Sequence, residues 1–187
     1  ARATCPCCNV VLPPERVRAQ LVEQRGGADT KLNSDGTRSG GAFLLAVVVL
    51  GGDETGRSYR LPIWQDYEAI SRAERKLDLY RHQTANSELS AIPTEPTPTG
   101  GGSGAGRAFS IQRYGMLTFE DMFVVRQKLT LLNLVQAVSS VRGDNPALGN
   151  LLGRAISRFT DICNASCRWE NTRTQVRNLF TRQAMAI

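Results

Sequence analysis

The sequence has a single histidine, His82, among its 187 residues. Without a second one, Ser/His triads and most His-based hydrolytic sites lose their central group. His82 itself closes a helical pattern beside a linker and reads as a surface residue. Long apolar runs are missing too. The longest, "AFLLAVVVL", is about half of the ~20 residues that a membrane helix needs, and reads as a buried strand. No signal-peptide pattern is present, and no membrane partner is expected. The five cysteines are odd in number and fall into one cluster (Cys5, Cys7, Cys8) and one i, i+4 pair (Cys163, Cys167). That is no secreted disulfide framework, so the expected setting is reducing and cytoplasmic.

Cofactor loops are scarce as well. "GGGSGAG" lacks the Lys-Ser/Thr that follows a phosphate-binding loop, and prolines precede it where a strand belongs. Neither an Asp-Pro-Pro-Tyr nor an Asn-Pro-Pro-Tyr tetrapeptide occurs, nor an Asp-Pro-Phe-x-Gly-x-Gly loop. The chain starts at Ala1 and runs straight into a cysteine motif, which sets the expectation that it is a piece of something longer.

What is present is arginine. Of 23 basic residues 20 are arginine, a bias toward bidentate and stacking contacts that a GC-rich genome also produces. The net charge of +6 is uneven: residues 1–108 hold 13 basic against 12 acidic side chains, residues 109–187 hold 10 against 5. A basic C-terminal half suits a polyanionic partner such as nucleic acid, and a solvated basic face gives the same count.

Pro13 and Pro14 fit the first turn of a helix that runs through Val17 and Leu21 to a Gly26-Gly27 stop. Residues 28–41 are polar and glycine-rich, and read as a loop. Ala42–Leu50, "GGDETG" and "RSYRLP" read as a hairpin with a buried first strand. A helix is expected from Trp64 to about Thr84, with Tyr67, Ile70, Leu77 and Tyr80 on one face. Residues 85–108 lose periodicity in "IPTEPTPTGGGSGAG", a linker with no capacity to pack.

Beyond it, Thr118 and Asp121 form a capping pair for a helix from Phe119 to Gly143, carrying Met122, Phe123, Leu129, Leu132, Val135 and Val138. Asp144 or Asn145 caps another, with Pro146 at its start and Leu148, Leu152, Ile156, Phe159 and Cys163 as its stripe. After "CRWENT" a last helix is expected, with Val176, Phe180 and Ala184 inward. The expected division is 1–12 (half a zinc-ribbon knuckle), 13–84 (helix, β-hairpin, helix), 85–108 (linker) and 109–187 (helical and basic). The fold class is α+β, with a small β-hairpin and flanking helices first, a mainly helical half second, and the remnant of a zinc ribbon at the N-terminus.

Cys5 and Cys8 carry the sharpest local signal. Two thiolates three positions apart in a tight turn can face one tetrahedral Zn²⁺, which wants four such ligands. A redox pair is the other chemistry, but no thioredoxin-like pattern surrounds it; incidental thiols give the same spacing. Cys163 and Cys167, one helical turn apart, can in principle complete a site, although Cys163 belongs to an apolar stripe and reads as core.

Four stretches in order, "ATCPCCNVVLPPERVRAQLVEQRGGADTKL", "AFLLAVVVL...GRSYRLPIWQDYEAI", "FSIQRYGMLTFEDMFVVRQKL" and "CRWENTRTQVRNLFTRQAMAI", resemble the middle region of the large bacterial and archaeal adenine-specific DNA methylases that contain a Zn-ribbon, often found near phage-defence systems. The resemblance covers nearly all of the chain except its two glycine-rich loops. It implies an internal segment of an S-adenosylmethionine-dependent enzyme that methylates the exocyclic amine of adenine in DNA. The cofactor loop and first cysteine knuckle would lie upstream and the Pro-Pro-Tyr tetrapeptide downstream, so this segment itself would bind no S-adenosylmethionine and hold no catalytic residue. It also implies Cys5 and Cys8 as half of a zinc site. The chain departs from the pattern in Cys-Pro-Cys-Cys-Asn, where a glycine usually follows the second ligand, so Cys7 competes with Cys8.

Enzymes that extrude a base must hold a distorted backbone. Arg113 with Tyr114, Arg168 with Trp169, and Arg173, Arg177 and Arg182 are the candidates for contacts to double-stranded DNA, with Arg173 and Arg177 on one helix face. The same residues also read as core aromatics and locally paired arginines. The expected partners are DNA and the remaining methyltransferase core of the same polypeptide. A non-enzymatic zinc-ribbon nucleic-acid-binding or scaffold module is the alternative.

Overall fold

The computed structural model describes residues 3–5, 7–50, 56–84, 90–100 and 111–178, and they form an α+β fold. Its helices are α1 (Pro14–Glu23), α2 (Trp64–Thr84), α3 (Val125–Asp144) and α4 (Pro146–Thr160). The strands are β1 (Ala3–Thr4), β2 (Val11–Leu12), β3 (Thr30–Leu32), β4 (Arg38–Gly41), β5 (Val47–Leu50), β6 (Arg57–Arg60), β7 (Arg168–Glu170) and β8 (Gln175–Arg177). Each pairs antiparallel with its neighbour in sequence, giving four separate two-stranded hairpins.

α1 starts on the two prolines and ends where Arg25, Gly26 and Gly27 all take positive φ, with Gly26 N–H bonded back to the Leu21 carbonyl at 2.8 Å. The expected loop at 28–41 contains the β3–β4 hairpin instead. Its turn is held by Asp35, which accepts from the Thr37 N–H at 2.9 Å and the Thr37 hydroxyl at 2.6 Å. Glycine serves close approach here: a Cβ on Gly41 would stand 1.9 Å from the Asp29 carbonyl oxygen.

β5 pairs with β6 as expected, but the strand is shorter and is not buried. Leu50 is 76% exposed, and β6 offers only Arg-Ser-Tyr-Arg, all exposed, so the hairpin has no second apolar face to close on. Arg60 ties it to α2 through a two-bonded ion pair with Asp66, at 2.6 and 2.8 Å. Asp66 also accepts the Ile63 N–H at 2.8 Å. These contacts hold the Asp66 carboxyl down at about 2.

α2 has the bounds that its periodicity predicts, and buries Ile70, Ala73 and Leu77. The surprise lies in its partner. Ile92, from the stretch read as an unpacking linker, is 2% exposed and joins Ala73, Leu77 and Val125 in the core, with Leu129 and Leu132 against them. The extended segment around it is stitched to the Leu117–Glu120 turn. Thr97 N–H bonds the Leu117 carbonyl at 2.9 Å, Phe119 N–H the Glu95 carbonyl at 3.1 Å, and Glu120 N–H the Pro93 carbonyl at 2.9 Å. Proline removes donors, but these bonds use the Pro93 and Glu95 carbonyls and the Thr97 N–H, so a proline-rich arm can still pack. The expected boundary therefore does not divide this core.

The expected helix from Phe119 is two pieces. A 3₁₀ turn, Phe119–Met122, is capped by Thr118 and Asp121; the chain then extends through Phe123 and restarts as α3 at Val125. Asp29 caps that restart by accepting the Val125 N–H at 2.8 Å. Asn145 accepts the Leu148 N–H at 3.1 Å and starts α4, antiparallel to α3. Past Thr160 the chain turns back, and Ala165 N–H bonds the Met122 carbonyl at 2.8 Å. Cys163 and Cys167 follow the end of α4, in this return, so they are not one turn apart on a helix.

The final correction is at the end. Where a last helix was expected, Trp169 and Val176 sit opposite each other in the β7–β8 hairpin, turned by Thr174 at φ 46°. Arg168-Trp169-Glu170 alternates like a strand, and the aromatic ring finds a cross-hairpin partner that a helix would not offer. Phe180 and Ala184, called inward on that helix, lie outside the described residues.

Candidate nucleic-acid interface

The N-terminal knuckle is built from a β1–β2 hairpin only two residues long on each side. Cys5 N–H bonds the Val10 carbonyl at 3.0 Å and Asn9 N–H the Cys5 carbonyl at 2.9 Å, which folds Cys5–Asn9 into one tight loop. Asn9 takes φ 56°, the left-handed conformation that glycine adopts freely and asparagine tolerates. Asparagine thus fills the place of the missing glycine, directly after Cys8. Backbone N–H groups of Cys8 and Cys7 point at the Cys5 sulfur and hold its thiol below the ordinary value. Such a loop suits two thiolate ligands. A tetrahedral zinc ion wants four such ligands, and among the described residues no group of three or more His, Cys, Asp or Glu is placed to hold a metal.

Burial, with Cys167 beside it, pushes the Cys163 thiol up. Cys167 donates its S–H to the Asp161 carbonyl at 3.3 Å and packs beside Ile111 and Met122. Both behave as small core side chains.

The arginine and aromatic candidates divide in an instructive way. Trp169 meets the ring of Tyr59 edge-on, with centroids 6.2 Å apart and planes at 88°. Arg57, two residues before Tyr59 on the same face of β6, donates to the Thr174 carbonyl and, at 3.2 Å, to its hydroxyl. The β5–β6 and β7–β8 hairpins therefore touch through these two contacts, the second of them across 117 positions of sequence. Both rings remain open to solvent, Tyr59 at 51% and Trp169 at 39%.

Arg177 lies on β8, not on a helix with Arg173. Its guanidinium donates to Glu170 at 2.8 Å and its Nε stands 2.7 Å from the other carboxylate oxygen, which holds the Glu170 carboxyl below its usual range. The strand register sets Arg168 directly opposite Arg177. Like charges so placed repel, and the Glu170 carboxylate that bonds Arg177 also feels the Arg168 charge. Arg168, exposed on β7, and Arg173, exposed in the turn, make no hydrogen bond or ion pair with other described residues.

Arg113 and Tyr114 close a 3₁₀ turn that begins at buried Ile111, and Ile111 shares a cluster with Cys167, the residue before Arg168. The two arginine–aromatic pairs thus stem from neighbouring parts of the fold. Arg113 is exposed and Tyr114 is 37% exposed. Arg182 lies outside the described residues.

Tyr59 and Arg57 escaped the sequence reading. The signal was there: in Arg57–Arg60 a strand carries no aliphatic residue on either face, which marks a strand whose side chains serve something other than the core. Compared with family models, with curated proteins and with solved structures, the chain matches none.

Proposed function

We propose that the chain is an internal segment of an S-adenosylmethionine-dependent DNA adenine methyltransferase, and that its docked hairpins hold the DNA backbone. One observation carries the DNA contact. Arg168 stands opposite Arg177 with Glu170, already bonded to Arg177, as their shared counter-charge, beside two half-open aromatic rings and the exposed Arg173. A like-charge pair across a strand costs stability unless a polyanion neutralises it, and phosphates do that without reading sequence. The open rings add faces on which displaced bases can stack.

The methyltransferase itself rests on the resemblance of the four sequence stretches. Two further features agree with a segment covered by a larger body. Phe43, Leu45, Leu50 and Leu61 are 63%, 78%, 76% and 77% exposed, a large amount of apolar side chain for a free surface. The preorganised Cys5–Cys8 loop offers two zinc ligands and needs two from elsewhere.

Anisotropy of a labelled duplex, titrated with the chain between ~50 and ~200 mM salt, tests the DNA contact. Arg168→Ala with Arg173→Ala should flatten the slope of log affinity against log salt by about 1.8, at ~0.9 for each phosphate lost. The loss should be the same on any duplex sequence. An unchanged slope overturns the assignment, and a changed sequence preference would mean that the hairpin reads bases.

A further inference from the structure

Beyond these hairpins, α3 and α4 form an open groove of about 510 Å³ along one side of their contact. We infer that this groove is a binding site for a nucleoside monophosphate, its phosphate clasped by Arg142 and Arg154 and its flat base resting on Val135, Val138 and Ile156. The inference is independent of the methyltransferase reading and uses no residue of the DNA-contacting hairpins.

The groove exists because of where side chains are missing. At the tip, Gly149 brings the helices into backbone contact, since a Cβ there would lie 2.4 Å from Arg142 Cβ and 2.6 Å from its Cα. One turn further along α4, a Cβ on Gly153 would meet nothing within 4 Å. Ser139 and Ser157 line the same space and are too short to fill it. Helices that touch at one glycine and part at the next leave a cleft between them. Its volume is in the range of roughly 300–1,000 Å³ typical of small-molecule clefts.

The lining sets the occupant's charge. Arg142 and Arg154 are its charged residues, no carboxylate joins them, and neither makes a hydrogen bond or ion pair with other described residues. Two guanidinium forks suit a phosphate dianion. Val135, Val138 and Ile156 give an apolar floor, and Ser139, Asn150 and Ser157 supply donors and acceptors for a ribose and base edge. A phosphate with an attached flat, polar-edged ring uses all three parts of the lining.

Calorimetry with deoxyadenosine monophosphate tests the site, with deoxyadenosine and inorganic phosphate as comparison ligands. Binding of the monophosphate should exceed that of either fragment, because each engages only part of the lining. Arg142→Ala or Arg154→Ala should weaken it about ten- to a hundredfold, the effect of losing a charge-assisted contact. Gly153→Leu should weaken it at least about tenfold by intruding on the groove while the melting temperature stays level or rises, which separates obstruction from unfolding. No binding to the wild-type chain at millimolar concentration overturns the proposal. So does binding that Gly153→Leu leaves unchanged, or inorganic phosphate binding as tightly as the monophosphate.

Discussion

Arg25 and Asp121 form a two-bonded ion pair, at 3.0 and 2.8 Å, across 96 positions of sequence. Asp121 is also the residue that caps its own turn, accepting the backbone N–H of Leu117 and Thr118 at 2.9 Å each. Burial alone would raise this carboxyl, but the bonds from Arg25 and Thr118 outweigh it and the net shift is downward. One carboxylate thus closes the end of α1 onto the turn that precedes α3.

Asp121→Asn should cost about 2 kcal/mol, the scale of hydrogen bonds to a charged group, tempered because Arg25 is half exposed. A carboxyl with a lowered folded value stabilises fully above its unfolded value and loses that contribution as pH falls through the folded one. Wild type should therefore weaken progressively below about pH 4. For Asp66 the window runs from 3.8 down to about 2. Urea midpoints taken across this range should show the gap between wild type and Asp121→Asn closing toward low pH. A gap that stays constant would mean that charge is not what Asp121 contributes.

Ile92→Ala should destabilise the protein by about 2–4 kcal/mol, on a par with Leu77→Ala, since both side chains are almost fully enclosed in one cluster. If residues around Ile92 merely tethered two domains, the substitution would leave the urea midpoint unmoved.

How the sequence misled at Ile92, and not at α2, has a physical cause. Ile70 and Leu77 sit on a helix long enough for periodicity to mark the buried face, and Thr118–Asp121 and Asn145–Pro146 have side chains that dictate a cap by chemistry. Ile92 is one apolar residue in an extended arm, where nothing repeats and burial depends on a surface assembled from distant segments. The same holds for β3, β4, β7 and β8, at three or four residues each, too short for alternation to show. At the candidate site, composition named Arg168 and Trp169, but the partner ring of Tyr59 comes from 110 positions earlier in the chain.

Two glycines on one helix should respond with opposite sign. Gly149→Ala should destabilise by about 1–3 kcal/mol, because its Cβ meets the Cα of Arg142 and the helices must part. Gly153→Ala should stabilise by up to about 1 kcal/mol, gaining helix propensity in open space. Thermal melts of the two variants compare them directly, and equal effects would rule out close contact at the tip.

Iodoacetamide should alkylate Cys5 at a lower pH than Cys163, since backbone donors lower one thiol and burial raises the other. In a longer chain carrying the second half of a zinc shell, stoichiometric zinc should protect Cys5 and Cys8 and leave the rate at Cys163 unchanged. Mass spectrometry of tryptic peptides resolves the sites. Protection of Cys163 together with Cys5 would reassign the ligands.

The bond from Ala165 to Met122 gives the helical pair a stem. The chain leaves the core and comes back to it at adjoining points, so what lies beyond Gln136, which the Tyr80 hydroxyl of α2 still bonds, is a branch whose length the trunk does not register. Whole turns added to both helices past that point would carry the tip outward by ~1.5 Å per residue while every core contact stayed in place. A fold arranged this way can vary its reach, or exchange one tip for another, without renegotiating its stability.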